Sequence, residues 1–258
     1  MYKKFINIAL LNRLIKMRER VVTGIKNLDN MLYGGIPLGN QVVLAGGPGS
    51  GKTLLSFEYL YHGAERNEKG VLFSLEEDKD MILENAKSAF TEFTKIDEFV
   101  NNGLVNIIGM EETQDYTRRD SNSGSFNFGG LVSQIVGFVE AKHINRVVLD
   151  SISTIKLLIK DSLEYRNLTL GLVRLLRRAK ATSIMTTELE NPKEEQLIFQ
   201  PEFFMYDGII ALYFSGSGSN IIQTLEVVKM RGSNHSFAIA PYEITSHGIN
   251  IINIPDIR

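Results

Sequence analysis

Residues 46–53 have the types and spacing of a phosphate-binding loop. They read GGPGSGKT and match the pattern G-x-x-x-x-G-K-[ST]. The glycines let the backbone curl so that successive N–H groups point inward and form a nest for an anion. Lys52 supplies a positive charge for the β- and γ-phosphates of a nucleotide, and the Thr53 hydroxyl can ligate Mg²⁺. We predict nucleotide contacts from Gly47, Pro48, Gly49, Ser50, Gly51, Lys52, Thr53 and Leu54.

A carboxylate follows a hydrophobic segment in the middle of the chain. Residues 146–149 read RVVL and lead directly into Asp150. An aspartate at the carboxyl end of a neighbouring strand holds Mg²⁺ directly or through its water. We therefore predict that Thr53 and Asp150 hold the metal, partly through water. The alternative is an aspartate that only caps the next turn.

Two adjacent acids, Glu76 and Glu77, close another hydrophobic segment, residues 71–75. Hydrolysis of a nucleotide needs a carboxylate that orients or activates water beside the γ-phosphate. Because successive strand residues face opposite sides, we expect only one of the pair to point at that water, and we slightly favour Glu76. The alternative is a solvated acidic turn.

Near the carboxyl terminus, Lys229 and Arg231 stand two residues apart on a predicted strand, so their side chains face the same side. Two such cations can neutralise charge that develops on a transferred phosphoryl group, and an arginine in this role is worth roughly 10³–10⁵ in rate. We treat both as catalytic candidates. The alternative is a pair of exposed strand cations.

The elements that must position these residues alternate between strand and helix up to residue 187. This pattern predicts an α/β fold with a mostly parallel, twisted sheet covered by helices on both faces. After Asp207 the strands follow one another closely, which predicts an antiparallel extension. The predicted strands are 41–45, 71–75, 104–108, 146–150, 183–187, 209–214, 221–229, 237–242 and 249–252, and the predicted helices are 52–67, 79–93, 131–142 and 161–181.

Two long loops interrupt the alternation, and loops of this length tend to be functional or mobile. The first, 110–130, contains Arg118, Arg119, Phe126 and Phe128, which could contact single-stranded nucleic acid by charge and stacking. A mobile loop or subunit contact is the favoured interpretation. The second, 188–202, carries five acids against one lysine, and that charge repels a phosphate backbone.

Composition excludes several classes of protein. The chain has 258 residues, 43% of them hydrophobic and 22% charged, which is ordinary for a folded domain and not for a disordered chain. No apolar run reaches the roughly 20 residues that a membrane-spanning helix needs. The lack of cysteine excludes disulfides, cysteine-bound zinc and thiol catalysis. A net charge of −2 does not favour a protein that coats nucleic acid, although a local basic patch stays open.

Residues 1–20 form a predicted basic amphipathic extension, and residues 21–258 form one predicted domain. A secretory signal needs an unbroken apolar centre, which Asn7, Asn12 and Arg13 interrupt, so a cytoplasmic location is expected. The favoured interpretation is a helix that packs on its own or a neighbouring subunit. The alternatives are a non-native extension with the true start at Met17, or a segment for a membrane surface or nucleic acid.

Taken together, these motifs resemble the KaiC-like branch of the RecA-superfamily ATPases, from about residue 20 to residue 252. The resemblance implies a RecA-like P-loop core, ATP and Mg²⁺ as ligands, and a homo-oligomer, expected to be a hexamer. It rests on these segments: VTGIKNLD (22–29), GGIP (34–37), LEE (75–77), NAKS (85–88), LDS (149–151), TTE (186–188) and KMRGSNH (229–235).

The resemblance also assigns roles to individual residues. Segment 229–235 is similar to a family motif that reaches the nucleotide of the adjacent subunit. Lys229 and Arg231 would then contact the γ-phosphate there, with Ser233 and His235 near the base and ribose and Met230 between them. Ser88 would lie near the nucleotide, and segment 186–188 corresponds to a strand end that senses the γ-phosphate.

Three other functions remain in competition with an oligomeric, regulatory or signalling ATPase. One is an ATP-binding regulator with little turnover, against which the paired glutamates argue. Another is a DNA-associated ATPase related to the recombinases, against which the charge and the acidic loop argue, so nucleic acid is not the expected partner. The last is an autokinase, which has only family analogy behind it. An unknown regulatory protein partner is compatible with each of these.

Overall fold

A computed structural model of the protein describes residues 19–117, 127–159, 161–189, 191–192, 200–216 and 221–252. Within these ranges no helix is both long enough and apolar enough to cross a membrane. Of the predicted extension at residues 1–20, residues 1–18 lie outside the described residues, as do the arginine pair Arg118–Arg119 and Phe126. Arg20, which the prediction assigned to this extension, begins a strand.

The centre of the fold is a nine-stranded sheet with the strand order β11-β10-β9-β8-β3-β7-β6-β4-β5. The six strands from β8 to β5 pair in parallel, and β9, β10 and β11 extend the sheet in antiparallel pairs. The predicted α/β class with an antiparallel extension is confirmed. The strands are β3 (Gln41–Gly46), β4 (Gly70–Ser74), β5 (Val105–Ile108), β6 (Arg146–Asp150), β7 (Thr182–Glu188), β8 (Gly208–Ser215), β9 (Ile222–Met230), β10 (Ile239–Thr245) and β11 (Gly248–Ile251).

A separate two-stranded ribbon precedes the sheet. It pairs β1 (Arg20–Val21) with β2 (Ile36–Pro37) in antiparallel fashion, with the short helix α1 (Leu28–Met31) between them.

Helices cover both faces of the sheet, and alternate residues of each strand pack beneath them. In β3, Val42 and Leu44 belong to one core cluster, whereas Val43 and Ala45 belong to the other. All four side chains are fully buried, as expected for a central parallel strand. The remaining helices are α2 (Lys52–Ala64), α3 (Lys79–Ala89), α4 (Ile96–Asn101), α5 (Met110–Thr117), α6 (Phe128–Lys142), α7 (Ile152–Leu158) and α8 (Ser162–Arg178).

The prediction of one helix over 79–93 is wrong at its carboxyl end. Helix α3 stops at Ala89, because Phe90 leaves the helical conformation with φ −111° and ψ 67°. This turn places Phe93 against the ring of Tyr61, with ring centroids 4.1 Å apart and nearly parallel. Burying aromatic side chains here outweighs continuation of a helix whose other face is polar.

The prediction of a continuous loop over 110–130 is also wrong where the structure describes it. Helix α5 occupies 110–117, and α6 begins at Phe128, with the Asn127 side chain accepting a hydrogen bond from Gly130 N at 2.8 Å. Phe128, the first residue of α6, is buried in the core and is not presented to a nucleic acid base. A further helix, α7, lies between β6 and α8, where the sequence analysis placed none.

Candidate functional site

The predicted phosphate loop joins the carboxyl end of β3 to the amino end of α2. Gly49 and Gly51 have φ angles of +75° and +82°, a conformation that residues with a side chain rarely adopt. A Cβ atom at Gly51 would lie 2.8 Å from Ile244 Cδ1, which is another reason for glycine at this position. The glycines therefore permit the curled conformation of this loop, which leads directly into the amino terminus of α2, where the helix dipole favours an anion.

The Lys52 side chain lies under the loop and is buried. Its ammonium group donates hydrogen bonds to the carbonyl oxygens of Gly46 and Gly47, both at 3.1 Å. It also forms an ion pair with Glu188 at the end of β7, with 2.6 Å between Nζ and Oε1. The charge that the sequence pattern assigned to nucleotide phosphates is thus held at the carboxyl edge of the sheet by two neighbouring strands.

Asp150 lies at the same edge, and its two carboxylate oxygens each accept a hydroxyl hydrogen bond. Thr53 donates to Oδ2 at 2.6 Å, and Thr186 donates to Oδ1. Burial raises the pKa of the Asp150 carboxyl, and the two hydroxyl groups oppose that effect by stabilising the charged form. The two predicted metal ligands, Thr53 and Asp150, are therefore in direct contact.

The two adjacent glutamates follow β4 rather than ending it. The strand stops at Ser74, so strand alternation, our reason for choosing between them, does not apply to Glu76 and Glu77. Their backbone N–H groups both donate to the Ser74 hydroxyl, at 3.3 and 2.9 Å. The choice of Glu76 over Glu77 stays a prediction.

Different partners hold the two glutamate side chains. Glu76 Oε1 accepts hydrogen bonds from Ser151 and from Thr154, the latter at 2.7 Å, so Glu76 is tied to the segment that follows Asp150. Glu77 Oε2 accepts a longer hydrogen bond of 3.3 Å from Asn85 on α3. Glu76 is the more firmly positioned of the two.

These groups surround a cavity of about 490 Å³. One side is polar and is formed by the loop, the carboxylates and Lys52. The other side is apolar and lies between α2, α3 and β10. Its lining includes these predicted site residues: Pro48, Gly49, Gly51, Lys52, Thr53, Leu54, Glu76, Glu77, Ser88 and Asp150.

The polar groups that line this cavity fit a nucleoside triphosphate with Mg²⁺. Among the described residues, the Ser50 hydroxyl and one oxygen of Glu188 are buried without a hydrogen-bond partner, so the loop has bonding capacity that its own chain does not use. Thr53 and Asp150 offer only hard oxygen atoms, which Mg²⁺ prefers. Among the described residues, no group of three or more acids and histidines is placed to hold a metal ion.

Lys229 and Arg231 lie at the opposite edge of the sheet, the amino edge, where the parallel strands begin. Lys229 pairs with Ile209 near the amino end of β8, and its ammonium group donates to the carbonyls of Phe203 and Tyr206 at 3.2 and 2.6 Å. Arg231 donates to the carbonyl of Phe204 at 3.0 Å. Both side chains donate to carbonyls of the segment 203–206, but β9 ends at Met230, so strand alternation does not apply to Arg231. Partial burial lowers the pKa of Lys229, and the nearby Arg231 lowers it further.

The rest of the 229–235 motif faces its own chain. Met230 is buried, and the Ser233 hydroxyl accepts a hydrogen bond from Arg20 at 2.6 Å. His235 is 8% exposed, with Nδ1 3.0 Å from the carbonyl oxygen of Ser236. None of these residues lines the cavity, so the structure does not bring them to the phosphate loop of the same chain.

Sequence reasoning missed several residues at the carboxyl edge. No sequence pattern predicts that Phe57, Ile82 and Ile244 line the cavity, because their positions depend on how α2, α3 and β10 pack. A weak signal did exist for Thr154 and Ser153, which are hydroxyl residues close behind Asp150. Ser153 accepts a hydrogen bond from Glu188 N at 2.7 Å and thereby ties α7 to the end of β7.

Known proteins with similar sequences and structures agree with this architecture. The family model described as "ATPase: KaiC" matches residues 21–256. A UPF0273 protein of Methanopyrus kandleri is 33% identical over 248 residues, which cover 90% of this chain and 92% of the relative.

The circadian clock oscillator protein KaiC of Synechococcus elongatus is 30% identical over 240 residues, which cover 92% of this chain. The match covers only 44% of the clock protein, so this chain spans less than half of its length. Among solved structures, a KaiC-like protein from the hyperthermophilic archaeon Pyrococcus horikoshii superimposes with a TM-score of 0.76 at 28% identity. The match covers 91% of this chain and 99% of that one.

Proposed function

The chain belongs to the KaiC family of ATPases, and from this premise we propose that it binds ATP with Mg²⁺ and hydrolyses it in an oligomer. The observation that carries the proposal is the meeting of Lys52, Thr53, Asp150 and Glu76 at one edge of the sheet. Three separate segments of the chain supply phosphate-binding, metal-binding and water-activating groups around one cavity.

The residues divide the chemistry among themselves. The loop N–H groups and Lys52 bind the phosphates, and the Lys52 ammonium exchanges the Glu188 carboxylate for phosphate oxygen as it does so. Glu76 orients a water molecule and accepts its proton while the water oxygen bonds to the γ-phosphorus and the bond to the bridging oxygen of ADP breaks. Mg²⁺ at Thr53 and Asp150 would neutralise charge on the phosphates.

Each nucleotide site is proposed to lie between two subunits of a ring, expected to be a hexamer. Strand β3 has six residues, so its two ends are about 17 Å apart, and the Lys229–Arg231 pair lies near the end remote from the loop. The pair cannot reach the loop of its own chain, but a head-to-tail neighbour can present it there. The two cations would then stabilise the transition state of the neighbour's reaction.

We propose a regulatory or signalling use for this ATPase. The similarity to a circadian clock oscillator protein supports that class of role. The clock protein is more than twice as long as the matched region, and so the role is proposed for the ATPase domain alone.

Two measurements on one sample test the proposal. Molecular mass in solution is measured with and without ATP–Mg²⁺, and phosphate release is measured in parallel. We expect nucleotide-dependent assembly and turnover, and Lys52→Ala should lose turnover. A chain with no affinity for adenine nucleotide in the presence of Mg²⁺ would contradict the proposal entirely. Turnover by a strictly monomeric protein would contradict only the shared site.

A mixing experiment tests catalysis between subunits. Lys52→Ala and Arg231→Ala subunits are each expected to be inactive alone. Random assembly of equal amounts places an intact loop beside an intact arginine at about one interface in four, so activity should partly return. Confirmed assembly without any recovery would show that the arginine acts within its own chain or not at all.

A further inference from the structure

Arg20 lies just before the region that the family model matches, yet its side chain reaches the far end of the chain. It donates from Nη2 to the Ser233 hydroxyl at 2.6 Å, across 213 positions of sequence. Ser233 belongs to the segment 229–235 that carries the two cations discussed above.

Two independent constraints hold the Arg20 guanidinium in place. Its backbone is fixed by the β1–β2 ribbon, in which Arg20 pairs with Pro37. Its Nη1 donates to the carbonyls of Leu32 and Gly35, at 3.0 and 2.8 Å. Because a planar guanidinium presents its donors in a rigid fork, these two bonds determine where Nη2 points.

The amino-terminal segment also holds segment 229–235 on either side of Ser233. Asn40 donates to the carbonyl of Arg231 at 3.0 Å, and the N–H of Ser236 donates to the carbonyl of Met31 at 2.8 Å. These are contacts at residues 231 and 236, whereas Arg20 makes the side-chain contact between them. The Ser233 hydroxyl donates in turn to the carbonyl of Asn234 at 2.6 Å, which stiffens the turn that follows Arg231.

We propose that Arg20 is a positioning residue for nucleotide hydrolysis at the neighbouring subunit's site. By fixing the turn at Ser233, it sets the direction in which Arg231 and Lys229 are presented across the subunit interface. This inference rests on the proposed shared site, and it adds a residue of the amino-terminal ribbon to that site. Arg20 does not itself touch the nucleotide.

The test uses mixed oligomers, because a residue that acts across the interface and a residue that supports its own site then behave differently. Arg20→Ala alone is expected to lose about 10-fold or more in kcat, in line with a displaced catalytic group. Mixed with Lys52→Ala subunits in equal amounts, it should regain activity to about the level of the Arg231→Ala mixture, near one interface in four. Arg66→Ala is the matched control and should stay active alone, because it removes an exposed arginine side chain that donates to the His62 carbonyl at 2.8 Å, far in sequence from segment 229–235.

A double-mutant cycle keeps the proposal testable if Arg20→Ala assembles poorly. Ser233→Ala removes the same contact from its other end. Once Ser233 is changed, the further change Arg20→Ala should have little effect on kcat, because the two residues act through one hydrogen bond. Fully additive losses in kcat would overturn the proposal.

The mixtures separate two failures. Recovery with Arg231→Ala but not with Arg20→Ala would leave the shared site standing and overturn the role of Arg20. No recovery in either mixture, with assembly confirmed by mass, would overturn both. Wild-type kcat in Arg20→Ala alone would also overturn the role of Arg20.

Discussion

The two ends of the central sheet hold cations in opposite ways. At the carboxyl edge, Lys52 meets a carboxylate from another strand at 2.6 Å, within reach of Asp150 and the two glutamates. At the amino edge, Lys229 and Arg231 donate to backbone carbonyls of residues 203–206, and Arg231 is exposed.

In the proposed oligomer, this difference separates a site that is built within one chain from a pair of cations that acts on another copy. Backbone carbonyls hold a cation in position while compensating little of its charge, so Arg231 keeps most of its electrostatic effect for another anion. Asp207 lies 3.9 Å from Arg231, between Nη1 and Oδ1, and Arg177 already binds that carboxylate at 2.7 Å. The carboxyl edge should therefore govern nucleotide binding, and the amino edge should govern turnover.

The largest expected effect comes from removing the cation of each edge in turn and comparing the two variants. Arg231→Ala should lower kcat by about 10³ or more while nucleotide affinity of the isolated chain is kept, because a transition-state contact is lost. Lys52→Ala should lose nucleotide affinity itself. Nucleotide binding by calorimetry and phosphate release under saturating ATP measure the two quantities. Equal loss of affinity in both variants would erase the proposed division between the edges.

A second prediction sharpens the carboxyl edge. Glu76→Gln keeps the shape of the side chain but removes the base, and should lower kcat by about 10²–10⁴. Glu77→Gln should have a smaller effect, because only a 3.3 Å hydrogen bond from Asn85 positions it. Single-turnover phosphate release compares the two variants. A larger loss in Glu77→Gln would reverse the assignment.

The third prediction compares one buried aspartate at each edge. Asp150→Asn should raise the Mg²⁺ concentration for half-maximal activity by about 10-fold or more, because a metal-binding carboxylate is lost. Asp207→Asn, at the amino edge, breaks the ion pair with Arg177 and should lower the melting temperature without changing that Mg²⁺ concentration. Titrations of Mg²⁺ at fixed ATP check both. If the Mg²⁺ concentration for half-maximal activity rose in Asp207→Asn and not in Asp150→Asn, the metal would not be held by Asp150.

The smallest expected effect is a pH dependence of the stability of the fold, and it comes from a pair of residues on α2 that belongs to neither edge. Buried Glu58 on α2 accepts hydrogen bonds from Ile249 N at 2.8 Å and from His62 Nε2 at 3.4 Å. Burial raises the pKa of Glu58, and hydrogen bonding to His62 partly offsets it. Burial lowers the pKa of His62, but the hydrogen bonds and charges of Glu58 and Glu65 outweigh burial, so its pKa is raised overall.

A histidine whose folded pKa is raised stabilises the fold below its unfolded pKa of 6.5, and this contribution disappears as pH rises through the folded pKa. His62→Gln should therefore lower the melting temperature by about 2–4 °C at pH 6 and by less at pH 8.5. His247→Gln, at an exposed position, is the control and should show no such difference. A loss that grows with pH would contradict the sign.

Local patterns were enough to predict much of the fold. Strand β6 begins and ends at the predicted residues, Arg146 and Asp150, because a short run of buried branched residues between polar ends has few other stable conformations. The loop at residues 46–53 was found from glycine and lysine alone, since its conformation depends on backbone freedom. Helices α5 and α7 were not predicted, because both are short and most residues of α5 are polar.

Contacts distant in sequence were not predictable in the same way. Nothing near Lys52 indicates that Glu188 pairs with it, because their contact follows from the parallel register of β3 beside β7, with Gly46 opposite Glu188. The same holds for Arg20 and Ser233, which meet only because the ribbon packs against the turn after β9.

The sequence by itself predicted the chemistry of each segment: a phosphate loop, a metal-binding aspartate, paired glutamates and two strand cations. These depend on residue type and short spacing, which are local properties of the chain. The tertiary structure decided which of these groups meet. The carboxyl ends of parallel strands converge at one edge, whereas antiparallel β9 runs the other way and carries Lys229 and Arg231 to the opposite edge.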